Sequence, residues 1–332
     1  MNQKNVFQLT CINVGNGDSI LIESPDVRCP GGRFVMLIDG GSGEPQEYDG
    51  STTGRIRAVE YLEQAGVDHI DWMISTHIHE DHTCGLLEAA RRFSPAVLFQ
   101  PFPADLYQNM RPLEIRQEDR ESLRKFTAAL NAYQCLCRLV TERGGRVRQL
   151  AAGETLSVCG AAPSDWLLQV LGPERSRLED QMEHLRRLYS GSGREELPIL
   201  DKAMNGVSLC VMLQRAGRRI LLTGDTELAG YPAERSGLKA DIFKVGHHGQ
   251  RGSLDEELVR AIAPQWAVVC ASSDRRYESA APEVLQVLRQ AGVQTFFTDC
   301  PQVLPYTEGL QPHRSIRFQI EENGKVRAEY EN

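Results

Sequence analysis

Residues 75–85, STHIHEDHTCG, constrain this chain more than any other stretch. Three histidines (His77, His79, His82) and two carboxylates (Glu80, Asp81) fall within six positions, directly after the apolar run Trp72-Met73-Ile74. Packed together without a cation, such side chains leave unpaired polar groups and like-charge contacts that cost on the order of several kcal/mol. Divalent first-row metals take imidazole nitrogen and carboxylate oxygen, so H-x-H-x-D-H supplies four ligands. In a loop whose residues alternate in direction, His77 and His79 reach one ion while Asp81 and His82 turn toward a second. Two ions about 3.5–4 Å apart need roughly six ligands and a water, so the remaining ligands must come from elsewhere in the chain.

The strand pattern shows where to look. Alternating or apolar runs at residues 6–14 and 19–23 flank the turn Gly15-Asn16-Gly17-Asp18, which predicts an opening hairpin. A strand from Phe34 to Ile38 ends at Asp39, and a helix over Ile56, Val59 and Leu62 stops at Gly66. Residues 82–93 read as a helix, which puts the histidine cluster in a strand-to-helix loop, a common place for binding sites in α/β proteins. Later strands run from Arg219 to Leu222, before Thr223-Gly224-Asp225, and from Ile242 to Val245, before Gly246-His247-His248. Further strands are expected at 208–214, 266–271, 294–298 and 314–320, with a helix from Pro282 to Gln290. Both halves share a layout of strands and then a helix, with acids or imidazoles where strands stop. Five of the eight histidines lie in the two clusters, while His69, His184 and His313 stand alone and are read as structural.

The chain has 332 residues, enough for a large layered α/β unit, and its 41% apolar and 25% charged content is ordinary for a globular protein. No apolar stretch approaches the roughly 20 residues that span a bilayer. The amino terminus lacks a secretion pattern, and nine scattered cysteines suggest buried thiols in a reducing compartment, so a cytoplasmic location is expected. Cys135 and Cys137 are two apart on a helix and point to different faces, which favours packing over metal binding. A net charge of −8 argues against a surface that grips nucleic acid everywhere, though a local basic patch remains open. Between Arg111 and Arg148 nine basic residues face five acidic ones, and Leu123, Phe126, Leu130, Tyr133, Cys137 and Val140 form one helical stripe ended by Gly144-Gly145. A solvated helical insertion is the expected reading there, ahead of a substrate-contacting surface. A second helical piece near 174–189 precedes the flexible sequence Ser190-Gly191-Ser192-Gly193.

Taken in order, STHIHEDHTCGL, ILLTGDTE and DIFKVGHHG resemble the metallo-β-lactamase superfamily. NVGNGDSILIE with LIDGG, NGVSLCVML, and VVCASSDRRYESAAPEVLQVLRQAG are similar to its ComEC-like branch of hydrolase and phosphodiesterase domains. The resemblance touches residues 6–41, 72–88, 150–172 and 205–300. It implies an α/β fold, a four-layer αββα sandwich with two metals at the sheet edges. Residues 1–332 are then one domain, with helical insertions at about 105–148 and 173–200. By position it implies His77 and His79 on the first ion, Asp81 and His82 on the second, and Asp225 bridging both. The last ligand falls on His247 in preference to His248, leaving His248 to contact phosphate or protonate the leaving group. Two departures stand out. No third histidine for the first ion lies between the insertion and the Gly-Asp motif, where Asn205 stands instead, and Tyr277-Glu278-Ser279-Ala280 replaces a histidine-bearing loop with Ser279.

The expected activity is metal-dependent hydrolysis, most readily of phosphodiesters by a metal-bound hydroxide, since such water has its pKa lowered to about 7. Asp81 or Asp225 would orient the attacking group, with His248 as a further catalytic candidate and Asn205, Ser208 and Ser279 near the substrate. Without thiolate ligands the set suits zinc or manganese. Asp18 and Asp39 sit at strand-end turns and serve either as turn formers or as outer support for ligand histidines. The substrate partner is a nucleic acid or a small phosphorylated molecule, and a separate targeting protein is expected in place of the membrane spans to which ComEC-like domains are usually fused. Two rivals use the same residues: hydrolysis of thioesters or other esters, and a catalytically impaired metal-binding regulatory module.

Overall fold

A computed structural model describes residues 6–158, 166–190 and 193–332. Gly191 and Ser192 of the expected flexible loop, the first five residues, and part of the 150–172 resemblance lie outside them. The chain first lays down β1 (Phe7–Ile12), β2 (Ile20–Pro25), β3 (Arg33–Ile38), β4 (Trp72–Ile74), β5 (Val97–Gln100) and β6 (Arg146–Gln149). It then builds β7 (Thr155–Ser157), β8 (Trp166–Gly172), β9 (Cys210–Arg215), β10 (Arg218–Leu222), β11 (Ile242–Lys244), β12 (Trp266–Val269) and β13 (Gln294–Phe297). Finally β14 (Ser315–Ile320) and β15 (Val326–Glu331) return to the first sheet.

The first sheet runs β15-β14-β1-β2-β3-β4-β5-β6 and the second β13-β12-β11-β10-β9-β8-β7. In each, an antiparallel half meets a parallel half: β3 through β6 are parallel in one, and β10 through β13 in the other. The parallel strands are short apolar runs buried on both faces, as WMI, VLFQ, IFK and WAVV show, because layers cover them above and below. One core, including Phe34, Phe99, Trp166, Leu168, Val211 and Phe318, is shared by the two sheets. A second lies between the first sheet and helices α1 (Ala58–Gln64), α2 (Glu80–Phe93), α3 (Ala104–Asn109), α4 (Glu121–Glu142), α5 (Arg175–Tyr189) and α6 (Leu197–Ala203). A third lies between the second sheet and helices α7 (Glu256–Ile262) and α8 (Pro282–Gln290). The three cores stack helices, sheet, sheet and helices, the expected αββα order.

Three expectations need correction. Helix α2 begins at Glu80, two residues before the expected start, with His79 as its N-cap, so Asp81 and His82 occupy its first turn. Acids in that turn suit the positive end of the helix dipole. β15, which was not expected, alternates exposed and half-buried residues in VRAEYE and carries no apolar run to announce it. The 105–148 piece is no merely solvated insertion. The stripe on α4 is buried against α2, and one flank of α4 reaches the cleft described next.

Candidate metal centre

The site forms where strand ends of both sheets meet. Asp39 follows β3, Thr76 and His77 follow β4, Asp225 follows β10, and Lys244 to His248 end β11 and continue past it. The hairpin turn between β1 and β2 closes over α2: Gly17 has φ +117, and a Cβ there would lie 2.1 Å from the Asp81 carbonyl oxygen. Only glycine tolerates both conditions. Asp39, His247 and His248 adopt left-handed backbone with φ 53, 45 and 52, a strained geometry that packing must hold in place.

Each of four imidazoles has one ring nitrogen tied to the protein and the other turned inward. His82 donates from Nδ1 to Asp39 Oδ2 at 2.8 Å. Thr76 Oγ1 donates to the same Asp39 oxygen at 2.6 Å, so it accepts from His77 Nδ1 at 3.0 Å. His248 donates from Nδ1 to the Cys270 carbonyl at 2.9 Å, and His79 from Nε2 to the Asp201 carbonyl at 3.3 Å. Fixing one nitrogen in this way selects the tautomer whose lone pair serves the other side. The inward atoms converge. His77 Nε2 and His79 Nδ1 lie 3.1 Å apart, and Asp225 Oδ2 lies 4.0 Å from His77 Nε2, 3.4 Å from His82 Nε2 and 3.2 Å from His248 Nε2. Asp81 lies 4.0 Å from His82 Nε2 and 3.4 Å from His248 Nε2, and it is steadied by Asn16 Nδ2 at 2.7 Å. Ligand atoms therefore gather as His77, His79 and Asp225 and as Asp81, His82 and His248.

These residues fit divalent cations on two counts. His82 Nε2, His248 Nε2 and Asp225 Oδ1 are buried without a hydrogen-bond partner, the condition that a shared ion relieves. Negative charge is also concentrated there, because Asp18, Asp39, Asp81 and Asp225 bring four carboxylates together, with the buried ammonium of Lys244 beside Asp18 and Asp225. Burial works against protonation of His82, but the charges of Asp225, Asp39 and Asp81 outweigh it and hold the imidazole well above its usual range. For His248, too, burial opposes the charge, and Asp225 with Asp18 and Asp81 raises its pKa well above the ordinary value. His77 goes the other way, pushed well down by burial and by its imidazole neighbours. The carboxylates that favour a proton on His82 and His248 would equally favour a metal cation beside them.

His247 does not join either group of ligand atoms. Its Nδ1 lies 3.0 Å from Glu227 and its Nε2 3.0 Å from Asn205, so His248 stands where the sequence reading put His247. The spacing could not decide between adjacent histidines, because the positive φ of both residues turns the chain at that point. Ser208 is buried, with Oγ accepting the Asp225 N–H at 3.2 Å, so it supports the carboxylate from behind and does not reach the cleft. Ser279 is also fully buried and absent from the cleft wall, which its neighbour Tyr277 lines instead. Asn205 does line the cleft, and Asp18 and Asp39 stand beside His248 and His82 as outer support. His69 pairs with Asp68, His184 with Glu196, and His313 with backbone carbonyls, all away from the centre.

The cleft holds about 200 Å³, and its walls include Lys125 and Phe126 of α4 together with Arg276 and Tyr277. Sequence reading missed Lys244, whose Nζ lies 2.5 Å from Asp18 and 3.7 Å from Asp225. The signal was available: a lysine inside the apolar run IFKV must find a carboxylate if the strand is buried.

Residues 12–100 match the family model described as Metallo-beta-lactamase superfamily. That span includes the His77–His82 cluster but not Asp225 or His248, which the geometry adds to it. Two curated proteins are similar to the chain. ComE operon protein 3 of Bacillus subtilis (strain 168) is 24% identical over 310 residues, covering 90% of this chain and 33% of that protein. Competence protein ComA of Neisseria gonorrhoeae is 23% identical over 120 residues, covering 35% of this chain and 17% of that protein. The chain thus spans a third or less of the length of these relatives. Among solved structures, a diphosphatase from the PhnP family aligns with 87% of this chain and 94% of its own at 13% identity and a TM-score of 0.40. The metallo-β-lactamase and ComEC-like resemblance read from the motifs therefore holds.

Proposed function

We propose that the chain is a dinuclear metal-dependent hydrolase of phosphodiesters, with one ion on His77, His79 and Asp225 and the other on Asp81, His82 and His248. The observation that carries this reading is the convergence of partnerless nitrogens and carboxylate oxygens from both halves of the chain on one cleft. Asp225 faces both groups and is the candidate bridge. Because no thiolate belongs to either group, zinc and manganese both suit the ligands. When bound, such ions supply positive charge for a phosphoryl oxygen and lower the pKa of water. The protein's own residues orient this chemistry: Asp39 and Thr76 fix His82 and His77, Asn16 fixes Asp81, and the Cys270 carbonyl fixes His248. On this reading residues 1–332 act as one domain, with the helical insertions supplying a cleft wall through α4.

The distribution of basic residues favours a small phosphorylated substrate over a long polyanion. Arg218 pairs with Asp241 at 2.7 Å, Arg251 with Glu283 at 2.7 Å, and Arg215 stacks on Trp166 at 6.0 Å, and none of them lines the cleft. Within the cleft, Lys125 is shared by Glu44 and Glu121, and Arg276 by Glu47 and Asp274. A track of free cations, the feature that grips nucleic acid, is not assembled beside the metal residues among the described residues.

The test is a chelator-controlled panel on purified protein: a chromogenic phosphodiester, a cyclic and a linear dinucleotide, single- and double-stranded DNA, RNA and a thioester. Turnover of phosphodiesters that is lost with chelator and in His79→Ala and Asp225→Ala supports the proposal. Turnover of the thioester alone would make the chain an ester hydrolase. Fewer than one tightly held ion with no chelator-sensitive turnover would make it a regulatory module.

A further inference from the structure

His247 belongs to neither ligand group, yet both of its ring nitrogens have partners. A Glu227 carboxylate oxygen lies 3.0 Å from His247 Nδ1, and a carboxylate only accepts, so Nδ1 carries the proton. His247 Nε2 is then the acceptor, and the Asn205 Nδ2 amide donates to it at 3.0 Å. With its NH₂ committed in this way, the amide has no choice about its other end. Asn205 Oδ1 is buried, has no hydrogen-bond partner, and belongs to a residue that lines the cleft with His79 and Asp225. The turn carrying Asn205 is also tied to Asp225: Ser208 N–H donates to the Asn205 carbonyl at 3.1 Å, and Ser208 Oγ accepts the Asp225 N–H.

We infer that Glu227 and His247 are positioning residues that hold the Asn205 side chain with its carbonyl oxygen toward the cleft, as a neutral oxygen donor to the cation held by His77, His79 and Asp225. That group offers three ligand atoms, one of them from Asp225, which also faces the second group, so with a water it reaches four positions and has room for a fifth. A buried amide oxygen with no other partner suits that further position and adds no charge to a centre already rich in carboxylates. The inference rests on the two-ion reading proposed above.

The experiment titrates the ion-free protein of residues 1–332 with cobalt(II), following the visible absorption of each binding step, and needs no substrate. Wild type is expected to bind two ions. Asn205→Ala and Glu227→Ala should weaken one step by about 10–100-fold and leave the other unchanged, the size usual for supporting residues of metal ligands. Asn205→Asp, which keeps an oxygen, and Glu227→Gln, which keeps an acceptor for His247, should recover most of the loss. Nitrogen-15 NMR of histidine should show the Nδ1-protonated tautomer of His247 in wild type and a mixture in Glu227→Ala. Two unchanged steps in both alanine variants, or an Asn205→Asp protein as weak as Asn205→Ala, would overturn the inference while leaving two ions in place. A wild-type protein that takes up no cobalt would end this inference and the proposed function together.

Discussion

Replacing Asp39 with asparagine should weaken both ions at once, although Asp39 is assigned to neither. Its carboxylate accepts three hydrogen bonds: from the Thr76 N–H at 2.9 Å, from Thr76 Oγ1 at 2.6 Å and from His82 Nδ1 at 2.8 Å. In Asp39→Asn one oxygen remains for the Thr76 N–H, and an NH₂ group replaces the oxygen that served the other two donors. His82 then loses the acceptor that keeps its proton on Nδ1, which bears on the Asp81–His82–His248 group. Thr76 Oγ1 must turn its proton elsewhere and stops accepting from His77 Nδ1, which bears on the His77–His79–Asp225 group. A lost charge-assisted hydrogen bond costs about 1.5–3 kcal/mol, or roughly 10- to 150-fold in affinity at 1.4 kcal/mol per decade. The larger loss should fall on the His82 step, where the bond is direct. Thr76→Val, which breaks only the His77 branch, should weaken one step and spare the other. Competition with a chromophoric chelator measures both steps. A folded Asp39→Asn protein with both affinities within about twofold of wild type would refute the idea that these hydrogen bonds set the ligand tautomers.

Lys244→Met should destabilise the fold by about 3–5 kcal/mol in chelator, because it leaves Asp18 as a buried charge without its partner; urea melts measure this. Burial opposes the Lys244 charge, but Asp18 and Asp225 raise its pKa above the usual lysine value. The pair's contribution is therefore complete below the unfolded lysine pKa of about 10.4 and lost only as pH rises through the higher folded value. The gap between wild type and Lys244→Met should be flat from pH 6 to 9, and a gap that closes within that range would contradict the assignment. Gly17→Ala should lower stability by more than about 1 kcal/mol and weaken the ion at Asp81, since a Cβ would press on the Asp81 carbonyl at an unfavourable φ. Among the described cysteines, Cys135 is exposed and should react with a thiol reagent at pH 8. Cys210, pushed up to about 12 by burial, should react only on unfolding, as should buried Cys11, Cys137 and Cys270.

Much of this site was legible because metal chemistry writes itself locally. H-x-H-x-D-H needs only the alternation of a loop and the start of a helix to present its atoms, so His77, His79, Asp81 and His82 could be read without tertiary information. Asp225 was legible for a related reason, as an acid where an apolar strand stops. The choice between His247 and His248 was not, because two consecutive left-handed residues reverse the direction in which neighbouring side chains point. Ser208 and Ser279 illustrate a second limit: a serine beside a site looks the same in sequence whether it faces substrate or, as Ser208 does, holds a ligand's backbone. The αββα layers were implied by the motif resemblance, while the short apolar strands and helical stripes by themselves fix only the order of elements along the chain. β15 escaped notice because an edge strand with one solvent-facing side needs no apolar run.

A crystal grown with zinc and measured at the zinc absorption edge tests the central claim most directly. The account predicts two anomalous peaks about 3.5–4 Å apart, one within coordination distance of His77 Nε2 and His79 Nδ1, the other of His82 Nε2 and His248 Nε2, with Asp225 touching both. A single peak bound through His247, or zinc found only outside the cleft, would contradict it.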